Sequence, residues 1–334
     1  MKKKILIIRF SSIGDIILTT PAVRCLATQL HEVEIHYLTK QKFAPILANN
    51  PYINKVIAFE GSLRQLIPIL KAEKYTHIVD LHKSIRSVYI LARMCKPFST
   101  FCKLSFRKWM LVKFRINIMP SIHIVGRYLK AMQRFDVVND GRGLDFFILS
   151  ADEIDLATFT EVFQKGYNGF VIGGKHNTKI FPVDKVIEVI RESELPVILI
   201  GGPEDRPNGE IIRTAIGDKV YNGCGQFTLM QSASLVRQAR AIVSNDTGLM
   251  HVAAAFNKNI ISIWGNTVPA FGMYPYMPDT LSGKTSIAEV QELKCRPCSR
   301  IGFASCPKGH FRCMKDQDVE MIARQLNDFS NING

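Results

Sequence analysis

Short apolar runs alternate along this chain with stretches whose apolar positions recur every third or fourth residue. In the first half, Lys4-Ile-Leu-Ile-Ile-Arg9 predicts a buried strand, Asp15 to Gln29 a helix, and Val33 to Leu38 a second strand. Weaker repeats of the same kind stand at Lys55 to Phe59 and His77 to Leu81. The second half restarts the rhythm with Phe170-Val-Ile172, a helix from Val183 to Arg191, Pro196-Val-Ile-Leu-Ile-Gly-Gly202, Ala241-Ile-Val243 and Ile260-Ile-Ser-Ile-Trp264. Two βαβ series predict an α/β chain with two parallel-sheet domains. Their break falls in the polar stretch from Leu149 to Asn168, their ligand site in the cleft between them, and the tail from Asp328 reads as loose.

Composition agrees with this reading and narrows it. With 334 residues, 47% of them hydrophobic, the chain is long enough for two ordinary cores. No window approaches the roughly 18 apolar residues of a membrane span. Met-Lys-Lys-Lys leads into an apolar run too short for a signal peptide, which places the protein in the cytoplasm with reduced cysteines unless they bind metal.

Charge is uneven. The net +14 comes from residues 1–150, with 24 Lys/Arg against 9 Asp/Glu, while residues 151–334 carry 19 against 20. Leu81 to Phe135 holds 12 Lys/Arg and no carboxylate, interleaved with Phe101, Phe106, Trp109, Phe114 and Tyr128. Such a window is either a solvated basic face over an aromatic core or a surface for an acidic partner: nucleic acid, anionic lipid, or a phosphorylated or carboxylated glycan.

Candidate chemistry gathers where predicted strands give way to helices. Ser244-Asn-Asp-Thr-Gly-Leu-Met-His251 reads as a helix N-terminus, with Asp246 and Thr247 as capping candidates, Gly248 allowing close approach to unpaired amides, and His251 near the same ligand. A cap and a packed histidine would satisfy the same spacing. Phe10-Ser-Ser-Ile-Gly-Asp15 follows the first strand, so Asp15 stands either as a general base or as a first-turn carboxylate. Lys175 and Lys179 precede a predicted helix and suit a diphosphate, and Glu204 in Gly201-Gly-Pro-Glu204-Asp205 suits ribose hydroxyls or an amine. Gly174, Gly202, Asp246 and Gly265 all follow predicted strands of the second half and should converge on one sheet edge.

Arg9-Phe-Ser-Ser-Ile-Gly-Asp15-Ile-Ile-Leu-Thr-Thr-Pro21, Lys179-Ile-Phe-Pro182, Gly202-Pro-Glu204 and the 244–251 motif stand in the order and spacing of the bacterial lipopolysaccharide heptosyltransferases, glycosyltransferase family 9. The resemblance spans nearly the whole chain. It implies the GT-B fold: a Rossmann-like acceptor-side domain at 1–155, a nucleotide-sugar-binding domain at 165–315, and a final helix at 316–330 returning to the first domain. It further implies inverting transfer of heptose from ADP-heptose to the lipopolysaccharide inner core. By motif, Asp15 resembles the catalytic base, Lys179 the donor-phosphate contact, Glu204 the nucleoside contact, and Asp246, Thr247, Gly248 and His251 the donor cradle.

The basic window would then meet an acidic, lipid-linked core oligosaccharide at the cytoplasmic face of the inner membrane, with His82, Lys83 and Arg86 as acceptor contacts and no nucleic acid as partner. Catalysis so implied needs no cofactor. Asp316-Gln-Asp318 reads as first-turn carboxylates of a helix from Val319 to Leu326. Cys295, Cys298, Cys306 and Cys313, with His310 among them, form a candidate structural zinc set of no standard spacing, with free buried thiols as the other reading. Phe181 stands where family members commonly carry Trp, a departure expected to reshape the donor pocket. Within the class, another nucleotide sugar and another surface glycan are the alternative; outside it, a nucleic-acid-binding protein or an inactive relative.

Overall fold

The computed structural model describes residues 3–331. The chain divides into two units: residues up to Lys103 with Ile122–Phe147, and Leu104–Ser121 with the residues from Ile148 onward. Each is built on one parallel sheet, so the Rossmann-like α/β architecture predicted from the alternation is present in both halves.

In the first unit, β1 (Lys3–Ile8), β2 (Val33–Lys40), β3 (Lys55–Phe59), β4 (His77–Asp80) and β5 (Phe98–Thr100) lie in the order β3-β2-β1-β4-β5. Ile5, Leu6, Ile7 and Ile8 are all fully buried, as expected of a central parallel strand covered on both faces. Ile5 registers with Ile35 on one side and His77 on the other. The helix expected over Asp15 to Gln29 occurs as two pieces, Ile13–Ile17 and Thr20–Gln29. Pro21 lacks an N–H and so belongs to a first turn, while the hydroxyls of Thr19 and Thr20 donate to the carbonyls of Ile16 and Ile17 across the break.

In the second unit, β6 (Asn168–Val171), β7 (Val197–Ile200), β8 (Val220–Asn222), β9 (Ala241–Asn245), β10 (Asn259–Trp264) and β11 (Thr285–Glu289) lie in the order β11-β10-β9-β6-β7-β8. Chain direction across each sheet reverses at one place, between β1 and β4 in the first unit and between β6 and β9 in the second. In open parallel sheets, ligands bind beyond the strand carboxyl ends at such switch points. Both candidate clusters sit there.

The last helix, Val319–Asn331, packs Ile322, Ala323 and Leu326 into the second unit's core against β9, β10 and the helix Val183–Glu192. It belongs to the second unit. Of the tail expected to be loose from Asp328, the part up to Asn331 is helical and held, with the Ser330 hydroxyl reaching both the Leu326 carbonyl and Asn168 Oδ1, and residues 332–334 lie outside the described residues. The segment 104–121, placed in the first domain by the sequence reading, belongs to the second unit.

Candidate active site

β9 ends at Asn245, and that buried side chain organises the loops around it. Its Nδ2 donates to the carbonyls of Val171, Ile172 and Gly173 at 3.2–3.3 Å, and its Oδ1 accepts from the Phe181 N–H at 3.2 Å. One amide thereby ties the end of β6 and the lysine-bearing loop to β9. The next residue, Asp246, does not cap the following helix. Its carboxylate accepts from Lys179 Nζ at 2.5 Å and from Thr267 Oγ1 at 2.9 Å. Both charged side chains are largely buried, 16% exposed for Lys179 and 12% for Asp246, so the pair is poorly screened.

Thr247 is the N-cap residue of the helix Gly248–Ala255, but its hydroxyl makes no capping bond and is buried without a hydrogen-bond partner among the described residues. The first-turn amides, beginning at Gly248, therefore lack the side-chain acceptor that usually satisfies one of them. An anion placed beside Lys179 would meet a cation and a helix N-terminus together. His251, expected near the same ligand, is buried within that helix at 3% exposure.

After β7, the two carboxylates of Pro203-Glu204-Asp205 take different places. Asp205 is buried, accepts from the Gly202 N–H at 2.8 Å, and fills the space beside Gly173 and Gly201, where an added Cβ would meet its Oδ2 at 2.2 and 2.7 Å. Burial pushes its pKa up. Glu204 remains exposed against Gly202, open to a ligand. Phe181 lies in the hydrophobic core at 1% exposure.

In the first unit, Arg9 and Asp15 close the turn after β1. Arg9 Nη2 meets Asp15 Oδ1 at 2.6 Å, and Ser12 gives Asp15 Oδ2 its hydroxyl at 2.7 Å and its backbone N–H at 3.2 Å. Arg9 is itself fixed by the carbonyls of Ser11 and Leu81 and by the Tyr128 hydroxyl, at 2.8, 2.6 and 3.1 Å. Burial pushes Tyr128 up to about 12, so that hydroxyl stays protonated. Burial alone would raise the Asp15 pKa, but the Arg9 charge and the Ser12 bonds outweigh it and hold the carboxyl below its usual value. Asp15 is thus an anchored carboxylate, ionised at neutral pH and still 24% exposed.

That balance has a pH consequence. A depressed pKa keeps the group ionised until pH falls below the ordinary carboxylate value of about 4. Replacing Arg9 by Met removes the depressing charge and leaves burial opposed by the Ser12 bonds alone, so an acid limb set by Asp15 should move to higher pH. A pH profile of kcat/KM for Arg9→Met checks this; an unmoved limb would show that Arg9 does not govern Asp15.

The acceptor candidates follow β4. Asp80 Oδ1 accepts the backbone N–H groups of His82 and Lys83, both at 2.8 Å, which fixes the turn. His82 stacks edge-on against Phe10 at 5.1 Å, and its Nδ1 is buried without a partner among the described residues. Burial, then the charges of Arg9 and Lys103, pushes its pKa down to about 4, leaving the ring neutral. Lys83 and Arg86 are both exposed, and Arg86 lines a pocket of about 390 Å³ with Lys40, Lys42, Phe59 and Glu60. Arg9, Asn245, Lys40 and Lys42 were not singled out from sequence, although Arg9 and Asn245 stand inside the two strongest motifs.

The zinc expectation is not supported. Cys295 Sγ lies 3.7 Å from His310 Nε2, but Cys313 turns into the hydrophobic core. Among the described residues no three His, Cys, Asp or Glu side chains gather in a way that would hold a metal. Asp318 caps the last helix by accepting from the Met321 N–H at 2.9 Å, and Asp316 pairs with Arg312 at 2.6 Å. Asp318 thus serves the start of the last helix as expected, whereas Asp316 ends the preceding helix Arg312–Lys315 instead.

Comparison with known proteins gives a consistent answer. Residues 63–301 match the model of glycosyltransferase family 9 (heptosyltransferase). Lipooligosaccharide heptosyltransferase 2 of Haemophilus influenzae is 27% identical, across 97% of this chain and 98% of its own length. Lipopolysaccharide heptosyltransferase 2 of Salmonella typhimurium is 26% identical, across 80% and 84%. Among solved structures, the Escherichia coli ADP-heptose lps heptosyltransferase II superposes with a TM-score of 0.73 at 21% identity, covering 99% of this chain and 98% of that one. The E. coli heptosyltransferase WaaC with ADP gives 0.67 at 17% identity, covering 98% and 99%. At these identities the structural matches speak for the fold.

Proposed function

Since the chain belongs to glycosyltransferase family 9, the heptosyltransferases, we propose that it transfers heptose from ADP-heptose to an acidic, lipid-linked inner-core oligosaccharide of lipopolysaccharide, with inversion. The observation that carries the donor half is the buried Lys179–Asp246 pair beside the uncapped helix N-terminus. Lys179 and the first-turn amides would hold the diphosphate, Asp246 and Thr267 would aim the lysine, and Glu204 would accept from the ribose hydroxyls. Relatives whose printed names include ADP-heptose or heptosyltransfer support the choice of donor.

Asp15 would act from the first unit. As the acceptor oxygen attacks the anomeric carbon, its proton passes to the Asp15 carboxylate, and the bond to the diphosphate oxygen breaks on the opposite face. The electron pair leaves with ADP, where Lys179 and the helix N-terminus meet the developing charge. Asp15 needs no high pKa for this, because the hydroxyl becomes acidic only as its oxygen bonds to an oxocarbenium-like carbon. Neutral His82, Lys83 and the Lys40, Lys42 and Arg86 cluster would receive the acceptor's hydroxyls and anionic groups. Work at the cytoplasmic membrane face suits such an acceptor; among the described residues no helix is long and apolar enough to cross a membrane.

A thermal-shift titration with ADP, UDP, GDP and ADP-heptose tests the donor assignment, since a ligand that binds only the folded state raises Tm. Stabilisation by ADP and ADP-heptose alone is expected. A shift with UDP or GDP but not ADP would keep the fold and discard heptose.

A further inference from the structure

The helix Ser105–Phe114 has two unlike faces. Lys108, Leu111 and Arg115 lie on one side and hold it to the second unit. Leu111 is buried, Lys108 stands 5.4 Å over the Phe271 ring, and Arg115 donates to the carbonyls of Lys294 and Cys295 at 3.2 and 3.1 Å. The other side carries Phe106, Trp109 and Phe114, exposed by 66%, 44% and 52%. Their rings form one ridge, with Phe106 and Trp109 centroids 5.9 Å apart and Trp109 and Phe114 5.2 Å apart. Ile116 and Ile118, also exposed, extend it past the helix end, where Arg107 reaches back to the Ile118 carbonyl at 3.4 Å.

Scattered exposed apolar residues are ordinary, but five large ones within 106–118 are a patch. Arg107 and Lys113 flank the ridge, and no carboxylate occurs anywhere from Leu81 to Phe135. Aromatic side chains beside uncompensated cations match one chemistry above others, the headgroup and upper acyl region of an anionic bilayer. An acidic protein would satisfy the cations but leave three rings unmatched. A second copy of this helix would oppose cation to cation.

We propose that the outward face of Ser105–Phe114, continued by Ile116 and Ile118, docks the protein on an anionic lipid bilayer, with Phe106, Trp109 and Phe114 inserted among the headgroups and Arg107 and Lys113 paired with lipid phosphates. The proposal rests on the reading of a lipid-linked acceptor and gives membrane contact to one named surface. It needs no spanning segment. Binding should weaken with salt, because part of the attraction is screened charge, and should persist in part, because the inserted rings are not.

The chain has two tryptophans, and Trp264 is buried at 1% exposure, so a change in tryptophan emission on binding reports Trp109. The whole 334-residue chain is mixed with phosphatidylcholine vesicles, with or without about 30% phosphatidylglycerol. Co-sedimentation and a blue-shifted emission with the anionic vesicles alone are expected. The triple variant Phe106→Ser, Trp109→Ser, Phe114→Ser should lose about tenfold or more in vesicle affinity. It should keep the ADP thermal shift and transfer to a delipidated acceptor, which separates this proposal from the catalytic reading. Unchanged vesicle binding in that variant would overturn the proposal, as would absent binding of the parent, or a parent dimer in sedimentation velocity that the variant abolishes. Loss of ADP response in the parent would instead fault the functional assignment.

Discussion

Asp15→Asn should lower the rate of transfer by about two orders of magnitude or more while leaving ADP-heptose affinity near that of the parent. An amide keeps the size of the carboxylate but cannot take the acceptor's proton. It also places an N–H2 or a neutral oxygen before Arg9, so the charge that anchors the turn at 2.6 Å is lost with the base. Donor affinity should survive because the proposed donor contacts Lys179, Glu204 and Gly248 belong to the second unit. Single-turnover rates together with equilibrium donor binding separate the two effects. Equal rates in parent and variant would remove Asp15 from the chemistry, and lost binding in the variant would make it a structural residue.

Lys179→Ala should weaken ADP-heptose binding by about ten- to a hundredfold, the range expected for losing a charge-assisted contact. The loss is more than one missing cation. Lys179 neutralises Asp246, and without it that largely buried carboxylate would face an incoming diphosphate with Thr267 Oγ1 to bind it. Repulsion then adds to the lost attraction. Asp246→Asn in the Lys179→Ala background removes the repelling charge and should recover part of the affinity. Normal ADP-heptose affinity in Lys179→Ala would end the phosphate assignment.

The sheets were legible because parallel strands covered on both faces read as nearly continuous apolar runs, as at Ile5 to Ile8 and, interrupted by Ser262, at Ile260 to Trp264. The short edge strands Phe98–Thr100 and Thr285–Glu289 were not, since a half-exposed edge carries little apolar signal. The break near Thr19 escaped periodicity, although Pro21 marked it. At the site, Asp15, Lys179 and Asp246 were legible as loop residues after strands, whereas their pairings were not. Arg9 joins Leu81 and Tyr128, and Asn245 joins Val171 and Phe181, across separations that local pattern does not encode. Cysteine spacing left zinc and free thiols both open for a related reason: that Cys313 lies in the core is not revealed by four residues in a short window.

The measurement that bears most directly on this account is product analysis after incubating the protein with ADP-heptose and a delipidated inner-core acceptor ending in acidic sugars. The account predicts stoichiometric release of ADP and an acceptor heavier by one heptosyl residue, its anomeric configuration opposite to that of the donor by NMR. Intact ADP-heptose beside consumption of another nucleotide sugar, or a product with retained configuration, would contradict it.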